Sequence, residues 1–259
     1  NPGVDANTIS KISTGKIDSK FGLPKSNFLK FCKNARKFKN LKIKAISVHI
    51  GSQITSIGPY KKTLSIIYAM IKSSKIDFDY VDLGGGFGIP YKNSEKKINI
   101  QNYSKLVERF RKKLNCKIIF EPGRFIVGNA GTLVSKILFI KKNGKKSFFI
   151  LDAGMNDFMR PALYNARHNI IPVLKSKKRI SGNVEFVGPI CESTDTFLKY
   201  KNFSFLNEND LVAITNVGAY GSSLSSNYNT RPLIAEILIN KNKLRYIRKK
   251  QNLLKLINS

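Results

Sequence analysis

Four short clusters in this chain combine residue types that can do chemistry. The first is His49-Ile50-Gly51-Ser52-Gln53, which closes an apolar run. Next come the glycine triplet Gly84-Gly85-Gly86 after Val81-Asp82-Leu83, and then Glu121-Pro122-Gly123-Arg124. The fourth is Cys191-Glu192, preceded by Arg160 and Tyr164. A glycine triplet lets backbone N–H groups come close to a phosphate. Pro122 and Gly123 fix the turn between an acid and a base. Glu121 can then face a basic ring nitrogen while Arg124 binds an oxyanion. Taken singly, each cluster has a plain alternative: a packed histidine, a tight turn, an ion pair and a small buried thiol.

A dinucleotide fingerprint starting at Gly84 would need glycine at position 89, which is Ile89, and Pro90 opposes the helix such a motif opens. Cys32, Cys116 and Cys191 are odd in number and lack CxxC spacing, and there are two histidines. This argues against a disulfide framework and a zinc site, predicts no metal and favours a reducing cytoplasm. No apolar run approaches the roughly 18 residues of a membrane span, so no membrane partner is expected.

The net charge of +30 raises nucleic acid as a partner. Of 46 basic residues only 10 are arginine, and the lysines are scattered, as in Lys141-Lys142-Asn143-Gly144-Lys145-Lys146. No recognised nucleic-acid motif accompanies them, which favours a solvated surface. A non-catalytic basic nucleic-acid-binding protein is the alternative from another class.

The elements that must position these clusters alternate. Helical spacing over residues 25–38, with Phe28, Phe31, Cys32 and Ala35, precedes the apolar run 43–50. A helix over 60–73 precedes a strand at 78–83, and a helix over 103–114 precedes one at 117–120. Strands alternating with amphipathic helices predict a parallel sheet, and such folds place ligands at the strands' C-terminal ends. The first three clusters stand there. From about residue 131 the pattern becomes β-rich, with strands expected at 133–140, 147–151, 170–173, 184–187, 211–215, 234–239 and 244–247. Asn143-Gly144 is a hairpin signal. Residues 1–130 are therefore read as a partial (β/α)8 barrel of TIM type, since a full barrel takes roughly 250 residues. Residues 131–259 are read as a β-domain of sandwich or small-barrel form.

In their order, these clusters resemble the fold-type III pyridoxal-phosphate decarboxylases. The likeness continues through Asp152-Ala153-Gly154-Met155-Asn156-Asp157, Met159-Arg160-Pro161-Ala162-Leu163-Tyr164 and Gly188-Pro189-Ile190-Cys191-Glu192-Ser193. It ends with Gly218-Ala219-Tyr220-Gly221 and Ser226-Asn227-Tyr228-Asn229-Thr230-Arg231-Pro232.

The resemblance implies pyridoxal 5'-phosphate as cofactor. His49 would stack on its ring, Ser52, residues 84–86 and Arg124 would hold its phosphate, Pro122 and Gly123 would belong to the cofactor-binding set, and Glu121 would sit at its ring nitrogen. Tyr220 would touch both cofactor and substrate. The resemblance also implies that Cys191 donates a proton after CO2 departs, and that Cys191 and Glu192 reach the neighbouring site of a homodimer. Arg160, Tyr164 and Arg124 resemble the set that binds a distal carboxylate, and Glu192 would meet a distal ammonium. This favours meso-diaminopimelate as substrate, giving L-lysine and CO2, the last step of lysine biosynthesis. Ornithine, arginine or carboxynorspermidine are the alternative substrates. The cofactor lysine of the family stands in a Tyr-Ala-x-Lys-Ala setting, which is not found here. The expectation is a chain shortened at its N-terminus and inactive by itself.

Overall fold

The computed structural model describes residues 1–6, 14–15, 19–35, 37–92 and 94–258. They form two compact units, Asn1–Ile126 and Val127–Ser259.

In the first unit, helices and strands alternate: α1 (Lys25–Ala35), β1 (Ala45–Ser47), α2 (Gly58–Ser74), β2 (Tyr80–Asp82), α3 (Ile100–Leu114), β3 (Lys117–Ile119) and α4 (Gly123–Val127). Arg36, inside the helix expected over 25–38, lies outside the described residues. The strands form a parallel sheet in the order β1-β2-β3, with Ile46 opposite Val81 and Val81 opposite Ile118. Val81 is fully buried, packed with Leu64, Ile67 and Ile71 of α2 and Val107 and Phe110 of α3. Each such side chain contributes about 1.5–3 kcal/mol on burial. Helix α3 starts three residues before the sequence reading placed it. The Asn99 side chain accepts a hydrogen bond from the Asn102 N–H, so the cap rather than the first apolar residue sets the start.

Each strand is only three residues long, but the pairing runs on past its end. Val48 N–H donates to the Asp82 carbonyl at 2.9 Å, Leu83 N–H to Ile119 at 3.0 Å and Glu121 N–H to Gly84 at 2.8 Å. The three loops that follow the strands are therefore held side by side in strand order.

The second unit contains β4 (Thr132–Asn143), β5 (Lys146–Leu151), α5 (Arg160–Tyr164), β6 (Ile170–Pro172), β7 (Arg179–Val187), β8 (Thr196–Ser204), β9 (Leu211–Thr215), β10 (Glu236–Asn240), β11 (Lys243–Arg248) and α6 (Leu253–Ile257). The first six strands in its sheet run in the order β6-β9-β4-β5-β7-β8, antiparallel except for β5 beside β7. The edge strands meet through one side chain. Tyr200 of β8 donates to Asn169 Oδ1 at 2.8 Å and accepts from the Ile170 N–H of β6 at 2.7 Å. The sheet thus curls to a near-barrel. Its interior is aromatic, with Phe186 meeting Phe149 and Phe203 edge-on at centroid distances of 5.2 and 4.9 Å.

Strand β8 does not appear in the sequence reading. Its apolar alternation breaks where Asn202 takes φ of +67° and the β7–β8 register shifts, so that Tyr200 and Phe203, an odd number of positions apart, both pack on the core. The remaining pair, β10 and β11, forms a separate hairpin with Ile239 and Leu244 largely exposed.

Candidate active site

In the first unit, the three loops that follow the strands carry His49 and Ser52, residues 84–86, and Glu121 to Arg124. The glycine triplet is wedged between its neighbours. A Cβ on Gly85 would stand 2.1 Å from the Glu121 carbonyl oxygen, and one on Gly86, at φ +87°, 2.3 Å from that of Gly51. Both obstacles are backbone, so no side chain could give way. Asp82 steadies the start of the loop, accepting from Gly84 N–H at 2.8 Å and from Ser47 Oγ at 3.1 Å. From α2, the buried Tyr60 hydroxyl donates to the Gly85 carbonyl at 3.1 Å. Burial raises the Tyr60 pKa, so the phenol keeps its proton and remains a donor.

His49 is exposed, and its Nδ1 accepts from Gly85 N–H at 3.3 Å. In the neutral ring the proton therefore sits on Nε2. Glu121 is also exposed, while its backbone is bound on both sides: its N–H to Gly84, and its carbonyl to Gly123 N–H at 3.0 Å. Pro122 and Gly123 complete that turn.

Arg124, in the first turn of α4, is buried. Nη1 donates to Tyr91 Oη at 2.6 Å and Nη2 to Ser52 Oγ at 3.0 Å, which orients the guanidinium fork. Gln53 clamps the next segment, its amide giving to the Ile89 carbonyl at 2.5 Å and accepting from the Ile89 N–H at 3.3 Å. The sequence reading did not find Tyr91 or Tyr60, which act over separations of 33 and 25 residues. The donor set suits a phosphorylated aromatic ligand: a buried guanidinium, a hydroxyl beside it, backbone with no room for Cβ atoms, an exposed imidazole and an exposed carboxylate. Among the described residues, no group of three or more His, Cys, Asp or Glu could hold a metal ion.

In the second unit, a part-buried polar network joins residues 152–157 to Arg231. Asp152 Oδ1 accepts from Ser135 Oγ at 2.5 Å and Lys136 N–H at 2.9 Å. Asp157 accepts from Gly154 N–H at 2.9 Å and from the Asn156 amide at 3.1 Å. Arg231 donates to Asn156 Oδ1 at 2.9 Å, the Asp152 carbonyl at 2.5 Å and Asp157 Oδ2 at 3.4 Å. Cys191 and Glu192 lie on an exposed loop. The Glu192 carboxylate accepts from Tyr228 Oη and from Thr194 Oγ1, and its hydrogen bond to Tyr228 raises the phenol's pKa.

Arg160 and Tyr164 begin and end α5, but they are not equally exposed: Arg160 is buried and Tyr164 half-buried. Arg160 Nη1 lies 2.8 Å from His168 Nε2, and His168 Nδ1 lies 3.1 Å from the Thr215 carbonyl. Guanidinium has no acceptor, so His168 accepts at Nε2 and donates from Nδ1–H to Thr215 as a neutral ring. Phe158 meets that ring edge-on at 4.6 Å. Tyr220 is exposed with φ of +61°, in the turn where a Cβ on Gly221 would stand 2.4 Å from the Val217 carbonyl oxygen. The sequence reading gave His168 no role.

A family model described as pyridoxal-dependent decarboxylase, C-terminal sheet domain, matches residues 17–218. A curated diaminopimelate decarboxylase of Zymomonas mobilis is 41% identical over 256 residues, covering 97% of this chain and 60% of the relative. The crystal structure of diaminopimelate decarboxylase from Helicobacter pylori complexed with L-lysine aligns with TM-score 0.92 and 39% identity, over 100% of this chain and 64% of that one. The crystal structure of diaminopimelate decarboxylase from m. jannaschii in complex with L-lysine aligns with TM-score 0.87 and 34% identity, over 99% of this chain and 61% of that one. The chain spans about 60% of the length of the curated relatives it matches.

Proposed function

The chain belongs to the pyridoxal-dependent decarboxylases, and from that premise we propose that it contributes to the decarboxylation of meso-diaminopimelate to L-lysine and CO2. This is the last step of lysine biosynthesis, and we place it in the cytoplasm. The observation that carries the reading is the buried Arg124 fork, oriented by Ser52 and Tyr91 in the unit that holds the backbone-packed glycine triplet. The strand-and-helix unit is proposed as part of a (β/α)8 barrel that binds pyridoxal phosphate, and the near-barrel unit as the β-domain, with the boundary near residue 130.

In this reading Arg124, Ser52 and the backbone of residues 84–86, with the 122–123 turn, hold the phosphate. His49 offers its imidazole face. The bound cofactor supplies an electron sink for breaking the carbon–carboxylate bond. Glu121, fixed by its backbone and free to extend its side chain, keeps a proton on the ring nitrogen. Arg160, Tyr164, Tyr220 and Arg124 are assigned to the substrate, and Glu192 to its distal ammonium. Cys191 is the proton donor. The exposure of Cys191 and Glu192 supports a homodimer in which they serve the partner's site.

Replacing Glu121 by Gln in the holoenzyme keeps the shape and removes the charge. We expect turnover of meso-diaminopimelate to fall about 100-fold, the scale of losing one fixed electrostatic partner at a reacting centre. Cofactor absorbance should show the site still filled. Unchanged turnover would remove the role given to Glu121.

A further inference from the structure

The loop that carries Cys191 and Glu192 is closed by a residue four positions further on. Asp195 is almost fully buried, at 2% exposure. Its Oδ2 accepts from Ile190 N–H at 2.8 Å, immediately before Cys191, and its Oδ1 from Met155 N–H at 2.7 Å, in the 152–157 loop. Its backbone closes the same loop, with its carbonyl accepting from Gly188 N–H at 2.9 Å and its own N–H donating to the Glu192 carbonyl at 3.1 Å. Gly188 is required by this contact, since a Cβ there would stand 2.1 Å from Oδ2.

We infer that Asp195 is a positioning residue for the reaction: it ties the loop that presents Cys191 and Glu192 to the 152–157 loop and so fixes where the proton donor stands. The inference rests on the reading of Cys191 as proton donor, while the tether itself stands on geometry alone. Thermodynamics favours a positional role over a stabilising one. Burial is the largest influence on this carboxyl and raises its pKa, against the opposing hydrogen bonds from Ile190 and Met155 and the nearby Arg231, with Asp157 adding to the rise. The charged form is therefore held in the fold at a cost. Two N–H donors from separate loops converge on one carboxylate, which gives geometric definition that an apolar residue of the same size could not supply.

The test compares Asp195→Asn with the unaltered holoenzyme. The amide has the same shape, but its NH2 faces one of the two N–H groups, so one tether is lost. Backbone hydrogen exchange at Ile190 or Met155 should accelerate about tenfold, the scale of one neutral hydrogen bond lost. The kcat should fall about 10- to 100-fold, as expected when the proton donor is displaced, and KM should rise as well, because Glu192 rides on the same loop. Gly188→Ala, which displaces the same carboxylate from the other side, should reproduce both effects and covers the case in which the first variant fails to fold. In a Cys191→Ala background, Asp195→Asn should lower kcat by less than about threefold further, because two residues acting through one step are not additive.

Exchange at Ile190 and Met155 unchanged in both variants would overturn the tether. Faster exchange with unchanged kcat, or a full multiplicative loss on top of Cys191→Ala, would overturn the positioning role. If the unaltered holoenzyme releases no CO2 from meso-diaminopimelate, the functional reading fails, and the exchange measurement still decides the tether.

Discussion

The two units hold their chemical residues by different means. In the first, the rim residues are fixed by backbone contact: residues 84–86 lie against the 49–53 and 121–124 loops with no room for a methyl group. Its exposed ion pairs, Lys44 with Asp79 and Arg111 with Glu108, lie away from that rim. In the second, the loops are fixed by hydrogen bonds to charged side chains, with the buried Asp157 and Asp195 and the half-buried Arg231 tying separate loops together. A backbone cradle leaves its polar groups for a ligand and tolerates no added volume. A buried carboxylate scaffold uses its polar groups on the fold itself and loosens when a charge is removed.

The contrast is tested most severely by Gly85→Ala. The new methyl would meet the Glu121 carbonyl at 2.1 Å, and both partners are backbone, so the loops must part. We expect a loss of stability of about 3 kcal/mol, the top of the usual range for overpacking, and loss of bound cofactor. A titration of pyridoxal phosphate followed by absorbance reads the second effect. If the variant binds cofactor with unchanged affinity, the first unit is not organised by backbone packing.

The matching change in the second unit is Asp157→Ala, which removes the carboxylate paired with Arg231, one of that guanidinium's three acceptors, and leaves the Gly154 N–H without its acceptor. A fully buried pair broken on one side costs about 3–5 kcal/mol, but Arg231 is roughly a third exposed and the contact is long, so we expect about 2 kcal/mol. Denaturant unfolding checks it. A cost no larger than that of an exposed pair such as Lys44–Asp79 would erase the distinction between the units.

The sequence places the chemistry better than the scaffolding. Every cluster that follows a strand of the first unit is visible as an apolar run ending in glycine or a charged turn, because a parallel sheet forces its ligand groups to the strand ends. The residues that orient those groups leave no local trace. Tyr91 reaches Arg124 across 33 positions, and Asp195 reaches Met155 across 40. His168 follows Arg160 by eight positions, yet it meets it only because α5 ends at Asn165 in a left-handed turn and the chain doubles back. Strand β8 is hidden for a local reason, since the bulge at Asn202 breaks its alternation. The one signal that pointed to Asp195 is its place just after the Cys191 cluster, and an acid there reads as an ordinary loop residue until its burial is known.

The finest test uses pH, and the sign differs between the units. Asp79 and Glu108 are held below the ordinary carboxylate range, chiefly by hydrogen bonds from Lys44 and Arg111. Their contribution is complete above that range and is lost as pH falls through the lowered values, because the unfolded chain then binds more protons. Asp195 is shifted the other way by burial. Between its raised folded value and the ordinary one, the folded chain binds the proton first, so stability from this group increases as pH falls across that interval. Asn at position 195 cannot titrate. The stability of the parent minus that of Asp195→Asn should therefore rise on acidification, and the corresponding difference for Asp79→Asn should decline at lower pH. Both differences come from the same denaturant titrations, in which the many other carboxylates cancel. A flat or falling difference for Asp195 would mean that its carboxylate is as comfortable inside the fold as in water, and the second unit would then owe nothing to costly buried charge.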